Sequence, residues 1–164
     1  MTTPVQSKTD RSAEAVRKHR EYLWPAVTNF YQQPLVADHA SMQHVWDVDG
    51  RRYLDFFGGI LTISVGHCNP KVTSRVQEQV GRLQHLSTLY PNEQIVGLAE
   101  KIAQITPGKL TRSFFTNSGT EANEAAVLLA RMVSGRMDVI ALRHAYSGGS
   151  QLGKTLTAHA AWQY

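Results

Sequence analysis

A polar turn at residues 117–123 carries the side chains of this chain that are best suited to chemistry. Its sequence, NSGTEAN, follows the apolar pair Phe114 and Phe115 and precedes an alanine-rich stretch. This order predicts a short strand, a tight turn and a helix that begins near Gly119. Free N–H groups at a helix N-terminus bind anions, glycine lets a phosphate approach the backbone, and Thr120 adds a hydroxyl donor. The turn is therefore a candidate phosphate site, and an ordinary capped helix is the alternative.

Two predicted strands place this turn near an aromatic side chain. The strands cover residues 111–116 and 137–142, and the helix between them ends at Gly135. Strands joined in this way are expected to be parallel, and the loops that follow them lie at one sheet edge, where ligands bind. Residues 118–120 follow the first strand and Tyr146 follows the second. An anion site beside a flat ring suits a phosphorylated aromatic cofactor, whereas simple surface packing of Tyr146 is the alternative.

Further elements are predicted on the N-terminal side of this unit. Asp49-Gly50 predicts a two-residue hairpin turn between strands at 45–48 and 51–56. Asn69-Pro70 predicts the start of a helix, and a second helix is predicted over residues 91–105. Apolar residues at helical spacing form one face of each helix. Those of the first helix are Val72, Val76, Val80 and Leu83, and those of the second, a stripe that we expect to be buried, are Ile95, Leu98, Ile102 and Ile105.

Four ordered blocks of the sequence resemble the class III aminotransferases, which are fold-type I enzymes that use pyridoxal phosphate. Residues 117–123 resemble the turn that binds the cofactor phosphate. Residues 143–148 resemble the loop that carries the aromatic residue stacked on the cofactor ring. Residues 45–55 and 58–72 resemble the N-terminal hairpin of the family and its continuation. The order of the blocks makes the match far more specific than one motif.

The resemblance implies an α/β fold. We expect the N-terminal portion of a fold-type I aminotransferase, with a mostly parallel sheet and flanking helices, preceded by a small-domain segment with a β-hairpin. Residues 1–20 would be a basic leader, partly disordered or helical, and residues 21–68 the small-domain segment. Residues 69–164 would begin the large, cofactor-binding domain.

The same resemblance implies the roles of individual residues. Ser118, Gly119 and Thr120 would bind the phosphate of pyridoxal phosphate, and Tyr146 would stack on its ring. Ser147 departs from the histidine that many members carry. The residues expected to line the substrate channel are Ile60 and Tyr90.

The implied reaction moves an amino group from an amino acid to a 2-oxo acid, in an enzyme that forms a homodimer when full length. No catalytic residue is assigned, because none of the six lysines resembles in context the Schiff-base lysine of the family. We therefore expect part of a longer enzyme, which by itself would be inactive and either poorly soluble or partly unfolded. Residues 59–72 most resemble the alanine–glyoxylate and β-alanine types. An aminomutase or decarboxylase of the same fold and an inactive fragment remain alternatives.

A P-loop NTPase is a further alternative, because residues 148–155, GGSQLGKT, match the phosphate-binding pattern of that class. The pattern requires a strand that runs directly into its first glycine and a helix that starts at its lysine. Here the predicted strand stops at Leu142, and five residues separate it from Gly148. The sequence therefore favours the aminotransferase interpretation.

Composition excludes several classes of function. Three of the four excess positive charges lie in residues 1–20, and this leader has no interleaved aromatic residues that would indicate nucleic-acid binding. No apolar run is long enough to cross a bilayer, so a cytoplasmic protein without membrane contact is expected. Cys68 is the single cysteine, and with His67 it would give at most two metal ligands, so no metal site is assigned.

Overall fold

The computed structural model of the chain describes residues 8–27 and 29–158. Its contacts divide the chain into two units, Met1–Ser87 and Thr88–Tyr164, which are described separately. The elements of the first unit are α1 (Lys8–Tyr22), β1 (Ala37–Ser41), β2 (His44–Asp47), β3 (Arg52–Leu54), α2 (Gly58–Leu61) and α3 (Pro70–Val80). Those of the second unit are α4 (Glu93–Ile105), α5 (Gly119–Ser134) and α6 (Gln151–Thr155).

The hairpin of the first unit is confirmed, but its turn is longer than predicted. Strands β1, β2 and β3 form an antiparallel sheet in chain order. The Asp47 N–H donates to the Arg51 carbonyl at 3.0 Å, which leaves a loop of residues 48–50 in place of the two-residue turn. Gly50 has a φ of 82°, as expected for the left-handed last residue of a three-residue hairpin loop. The Asp47 carboxylate stabilises this wider loop by accepting the N–H groups of Asp49 and Arg51.

A carboxylate–imidazole pair fixes the chain after the hairpin. Asp55 accepts hydrogen bonds from the N–H groups of Phe57 and Gly58 at 2.8 and 2.9 Å. Its second oxygen lies 2.7 Å from Nε2 of His67, and both side chains are largely buried. The Gly58 amide, the His67 ring and the Phe57 amide hold the pKa of Asp55 at about 2, below its ordinary value of 3.8. Asp55 therefore stays ionised well into the acid range.

Acid should remove the stabilisation that Asp55 provides. Because its native pKa is lower than its unfolded value, its contribution is complete above pH 3.8 and is lost as the pH falls towards about 2. Asp55→Asn should lower the free energy of unfolding at neutral pH and flatten its dependence on pH in that window. Chemical unfolding followed from pH 6 to about 2 measures both effects. Asp138→Asn, in an exposed segment, is the control, and an unchanged acid slope in Asp55→Asn would contradict the assignment.

The helix boundaries follow the capping residues that the sequence indicates. Asn69 caps α3 and accepts from the Lys71 N–H, with Pro70 as the first helical residue. Helix α4 begins two residues later than predicted, because the Asn92 side chain caps it. Helix α5 ends where predicted, at Gly135, whose φ of 66° is the left-handed conformation that glycine adopts readily. No described helix is both long and apolar enough to cross a membrane.

Two details of the predicted α/β unit are wrong within the described residues. Segments 111–116 and 137–142 form no strand pairing. The antiparallel sheet of the first unit is the only sheet among the described residues. Ile140 is fully exposed, and most of the other residues of these segments are exposed to a lesser degree. A strand exists only through hydrogen bonds to an aligned neighbour, and the described residues provide none for either segment.

Most of the apolar face of α3 and of the stripe on α4 is also exposed, although burial was predicted for the α4 stripe, of which Ile102 alone is half-buried. Ile95, Leu98 and Ile105 are 55%, 49% and 84% exposed, and Val76 of α3 is 55% exposed. Helical periodicity identifies which face is apolar, but burying that face requires a partner surface. The described elements of the second unit leave α4 without such a partner.

Candidate functional site

The N-terminus of α5 is organised by a capping box. Ser118 Oγ accepts the N–H of Glu121 at 3.2 Å. The Glu121 carboxylate reaches back to the N–H groups of Asn117 and Ser118, at 2.6 and 3.1 Å. The Ser118 and Glu121 side chains thus accept hydrogen bonds from backbone amides that the helix itself leaves unpaired. Glu121 therefore has a structural role, and the Ser118 amide is already bonded.

Three donors of this turn remain open to a ligand. Within the part of the chain that the structure describes, the N–H groups of Gly119 and Thr120 donate no hydrogen bond. A Cβ added at Gly119 would meet nothing within 4 Å, so the space beside it is open. Thr120 Oγ1 accepts the Gly149 N–H at 3.1 Å, which leaves its proton for another acceptor. We call these two amides and the Thr120 hydroxyl the phosphate cup.

The loop that carries Tyr146 lies against this cup. The Gly149–Thr120 bond joins the loop to the first turn of α5, and the Asn123 side chain donates to the Ser147 carbonyl at 2.9 Å. The Tyr146 ring is 61% exposed, and Lys154 Nζ lies 5.9 Å from its centroid. The structure thus brings together the cup and the aromatic loop that the sequence predicted to share one site.

Thr157 anchors the far end of the loop, and sequence analysis missed it. This side chain is only 1% exposed, the lowest value in the described part of the chain. Its hydroxyl accepts the Ser147 N–H at 3.1 Å and donates to the Gly153 carbonyl at 2.7 Å. A single threonine near the end of a polar stretch carries no pattern that would have revealed this role. The hydroxyl of Ser147, which stands where many members of the family carry histidine, donates to the Leu156 carbonyl at 3.4 Å.

Three amides of the P-loop-like segment are bonded within the protein and are not available to a ligand. The N–H groups of Gly149, Gly153 and Lys154 donate to Thr120 Oγ1, Ser150 Oγ and the Ser150 carbonyl. A P-loop instead turns such amides towards a nucleotide phosphate. No strand leads into Gly148 in the described residues, and the helix that follows, α6, has five residues. The geometry gives the NTPase alternative no support.

Comparison with protein families decides the assignment. The model of the family described as aminotransferase class-III matches residues 27–161 of the 164 residues. The chain belongs to the class III aminotransferase family. Enzymes of this family use pyridoxal phosphate as their cofactor, as the resemblance implied.

Individual relatives agree with the family match. Human mitochondrial alanine–glyoxylate aminotransferase 2 is 47% identical over 139 residues, which are 85% of this chain and 27% of that protein. An (S)-enantioselective omega-transaminase from Thermomicrobium roseum superimposes with a TM-score of 0.81 at 28% identity, over 97% of this chain and 37% of its own. A phospholyase from Arthrobacter, solved in complex with phosphoethanolamine, also has a TM-score of 0.81, at 32% identity over 89% of this chain and 34% of its own.

These matches confirm the fold class as the N-terminal portion of a fold-type I aminotransferase. The chain spans between 27% and 37% of the length of these three proteins. The domain boundaries at residues 20 and 68 stay predictions.

The two predicted substrate residues lie in different units. Ile60 belongs to α2 of the first unit, is 74% exposed and has a φ of 58°. Tyr90 precedes α4 in the second unit and is 62% exposed. Their roles stay predictions. Among the described residues, no three His, Cys, Asp or Glu side chains group as metal ligands, and Cys68 is exposed.

Proposed function

We propose that this chain supplies the cofactor phosphate cup and the ring-stacking loop of a pyridoxal-phosphate-dependent aminotransferase. The full enzyme would transfer an amino group from an amino acid to a 2-oxo acid. The observation that carries the proposal is the Gly149–Thr120 hydrogen bond, which joins the Tyr146 loop to the open N-terminus of α5. The site thus combines donors for a phosphate with a flat ring for an aromatic group.

The donor set fits the phosphate of the cofactor. The amides of Gly119 and Thr120 and the Thr120 hydroxyl would bind its oxygens, with the Ser118 hydroxyl nearby. The positive end of the α5 dipole favours the same negative charge. Tyr146 would stack on the pyridine ring and fix its orientation. The bound cofactor supplies an electron sink for carbanion chemistry, while these residues hold it in place.

The relatives suggest what the whole enzyme acts on. One of them is named an alanine–glyoxylate aminotransferase, which makes L-alanine and glyoxylate the first substrates to propose. Ile60 and Tyr90 are proposed to line the substrate channel of a homodimeric, cytoplasmic enzyme. Some relatives are named as mitochondrial, so the location is best checked in cells.

Activity of the protein expressed at full length tests the proposal. With pyridoxal phosphate, L-alanine and glyoxylate, we expect equimolar formation of pyruvate and glycine. Omitting the cofactor from the apoprotein should abolish both products. If no amino acid donor supports cofactor-dependent formation of an amino acid from a 2-oxo acid, the aminotransferase assignment fails.

The structural similarity to the Arthrobacter phospholyase favours a second candidate reaction that would use the same cofactor. That protein matches at 32% identity and was solved with phosphoethanolamine, so the same cup and ring could serve an elimination reaction. The full-length protein incubated with phosphoethanolamine distinguishes the two. Release of inorganic phosphate without any amino transfer would favour the lyase over the aminotransferase.

Substitution of Lys154 separates the two phosphate motifs. Lys154→Ala should change the affinity for pyridoxal phosphate only a few-fold, because a cation over an exposed ring contributes about 0.5–1 kcal/mol. ATP with magnesium should not raise the melting temperature of either protein. Titration with cofactor and thermal unfolding with and without ATP measure these outcomes. A magnesium-dependent rise that Lys154→Ala abolishes would support the NTPase alternative instead.

A further inference from the structure

One face of α5 holds the segment that follows Tyr146. Thr120, Asn123 and Glu124 are spaced i, i+3 and i+4, so they lie side by side on the first two turns of the helix. Each one is hydrogen-bonded to the segment. The three bonds are Gly149 N–H to Thr120 Oγ1 at 3.1 Å, Asn123 Nδ2 to the Ser147 carbonyl at 2.9 Å, and Ser150 Oγ to Glu124 Oε1 at 2.5 Å.

We call the Asn123–Ser147 and Glu124–Ser150 pairs the polar clamp. Ser147 is the residue next to Tyr146, so the Asn123 bond fixes the backbone from which the ring projects. Ser150 Oγ also accepts the Gly153 N–H at 3.0 Å, so Glu124 holds a hydroxyl that is already fixed at the start of α6. The clamp therefore sets the position of Tyr146 relative to the N-terminus of the same helix.

We propose that Asn123 and Glu124 are positioning residues that set the spacing between the phosphate cup and the Tyr146 ring. This inference rests on the proposed function, since it assumes that cup and ring bind one molecule. Pyridoxal phosphate carries its phosphate and its ring at a nearly fixed separation. A cup and a ring held at the matching spacing bind both parts together, whereas a loose loop must be ordered at the moment of binding. Neither residue needs to touch the cofactor to have this effect.

Charge distinguishes positioning from a direct electrostatic role. The Ser150–Glu124 bond has a carboxylate as its acceptor, and hydrogen bonds to a carboxylate are stronger than those to a neutral oxygen. Glu124→Gln keeps the shape and one acceptor oxygen but weakens this bond. Removing a carboxylate from the helix that binds an anion should by charge alone favour phosphate. A loss of cofactor affinity in Glu124→Gln would therefore have to come from the loop.

The test compares two ligands of the apoprotein expressed at full length. Pyridoxal phosphate would contact both the phosphate cup and the Tyr146 ring, whereas inorganic phosphate would contact the cup alone. For Asn123→Ala, Glu124→Gln and the double variant, we expect the dissociation constant of pyridoxal phosphate to rise, by roughly tenfold in the double variant. The inhibition constant of inorganic phosphate as a competitor of cofactor binding should stay within about twofold. Glu100→Gln, an exposed residue of α4, is the matched charge control.

Each outcome decides a different point. Weaker cofactor binding with unchanged phosphate binding supports the positioning role, and a shift of the visible absorption band of the bound cofactor would accompany it. Equal weakening of both ligands would show that the clamp merely stabilises the cup, which overturns the inference. Unchanged affinity for both ligands overturns it as well. A wild-type protein that binds inorganic phosphate but not pyridoxal phosphate would contradict the proposed function itself.

Discussion

Gly119→Asp is expected to weaken the binding of pyridoxal phosphate by about 1,000-fold. The substitution places a carboxylate beside the amides of the phosphate cup, where the cofactor phosphate is proposed to bind. At about 4 Å, two unit charges repel each other by about 4 kcal/mol at an effective dielectric constant of 20, which corresponds to nearly three orders of magnitude in affinity. Titration of the full-length apoprotein with the cofactor, followed by its visible absorption, measures the change.

Two further substitutions at the same position separate charge from space. A Cβ at Gly119 meets nothing within 4 Å, so Gly119→Ala and Gly119→Asn should both leave the helix N-terminus intact. Gly119→Asn has the shape of aspartate without its charge, and it should lose far less affinity than Gly119→Asp. If Gly119→Asp and Gly119→Asn weaken cofactor binding equally, the cup does not bind a phosphate. If neither substitution weakens cofactor binding, the cofactor binds elsewhere.

Features set by neighbouring residues could be predicted from the sequence. Ser118 and Glu121 form a capping box across three residues, and Gly135 ends α5 because glycine adopts the left-handed conformation without strain. The same local chemistry located Asn69 at the start of α3. Because the anion site is itself a helix N-terminus, predicting the cap was enough to place the candidate cup.

Features set by distant residues could not be predicted in this way. β1 was missed because its sequence, ADHAS, has no apolar alternation and is a strand only through its pairing with β2. Strands predicted at 111–116 and 137–142 lack partners among the described residues for the same reason, since pairing is not a property of one segment.

The polar clamp could be predicted from the sequence only in part. Asn123 and Glu124 stand at helical spacing from Thr120, so the sequence does place them on the face of the cup. Their partners, Ser147 and Ser150, lie more than twenty residues away, and only the folded chain joins them. The family resemblance pointed to residues that are proposed to contact the cofactor, whereas the residues proposed to position them were found only from the geometry of the folded chain.

Gly148→Ala is expected to displace the Tyr146 loop and to raise the dissociation constant of pyridoxal phosphate at least tenfold. A Cβ on Gly148 would lie 2.7 Å from Thr120 Oγ1 and 3.1 Å from Thr120 Cα, so the loop would have to move away from α5. Gly148 also has a φ of 128°, which side chains other than glycine rarely adopt. Overpacking costs about 1–3 kcal/mol and backbone strain about 1–3 kcal/mol more, which together exceed the net contribution of the Gly149–Thr120 bond.

The neighbouring glycine provides a matched control for this prediction. A Cβ on Gly149 would meet nothing within 4 Å, its φ is not positive, and alanine keeps the N–H that donates to Thr120. Gly149→Ala should therefore bind the cofactor within about twofold of the unsubstituted protein, because none of the bonds that hold the loop changes. Cofactor titration and thermal unfolding of both full-length variants give the comparison. Equal affinities in Gly148→Ala and Gly149→Ala would mean that close packing of this loop on Thr120 does not position the ring.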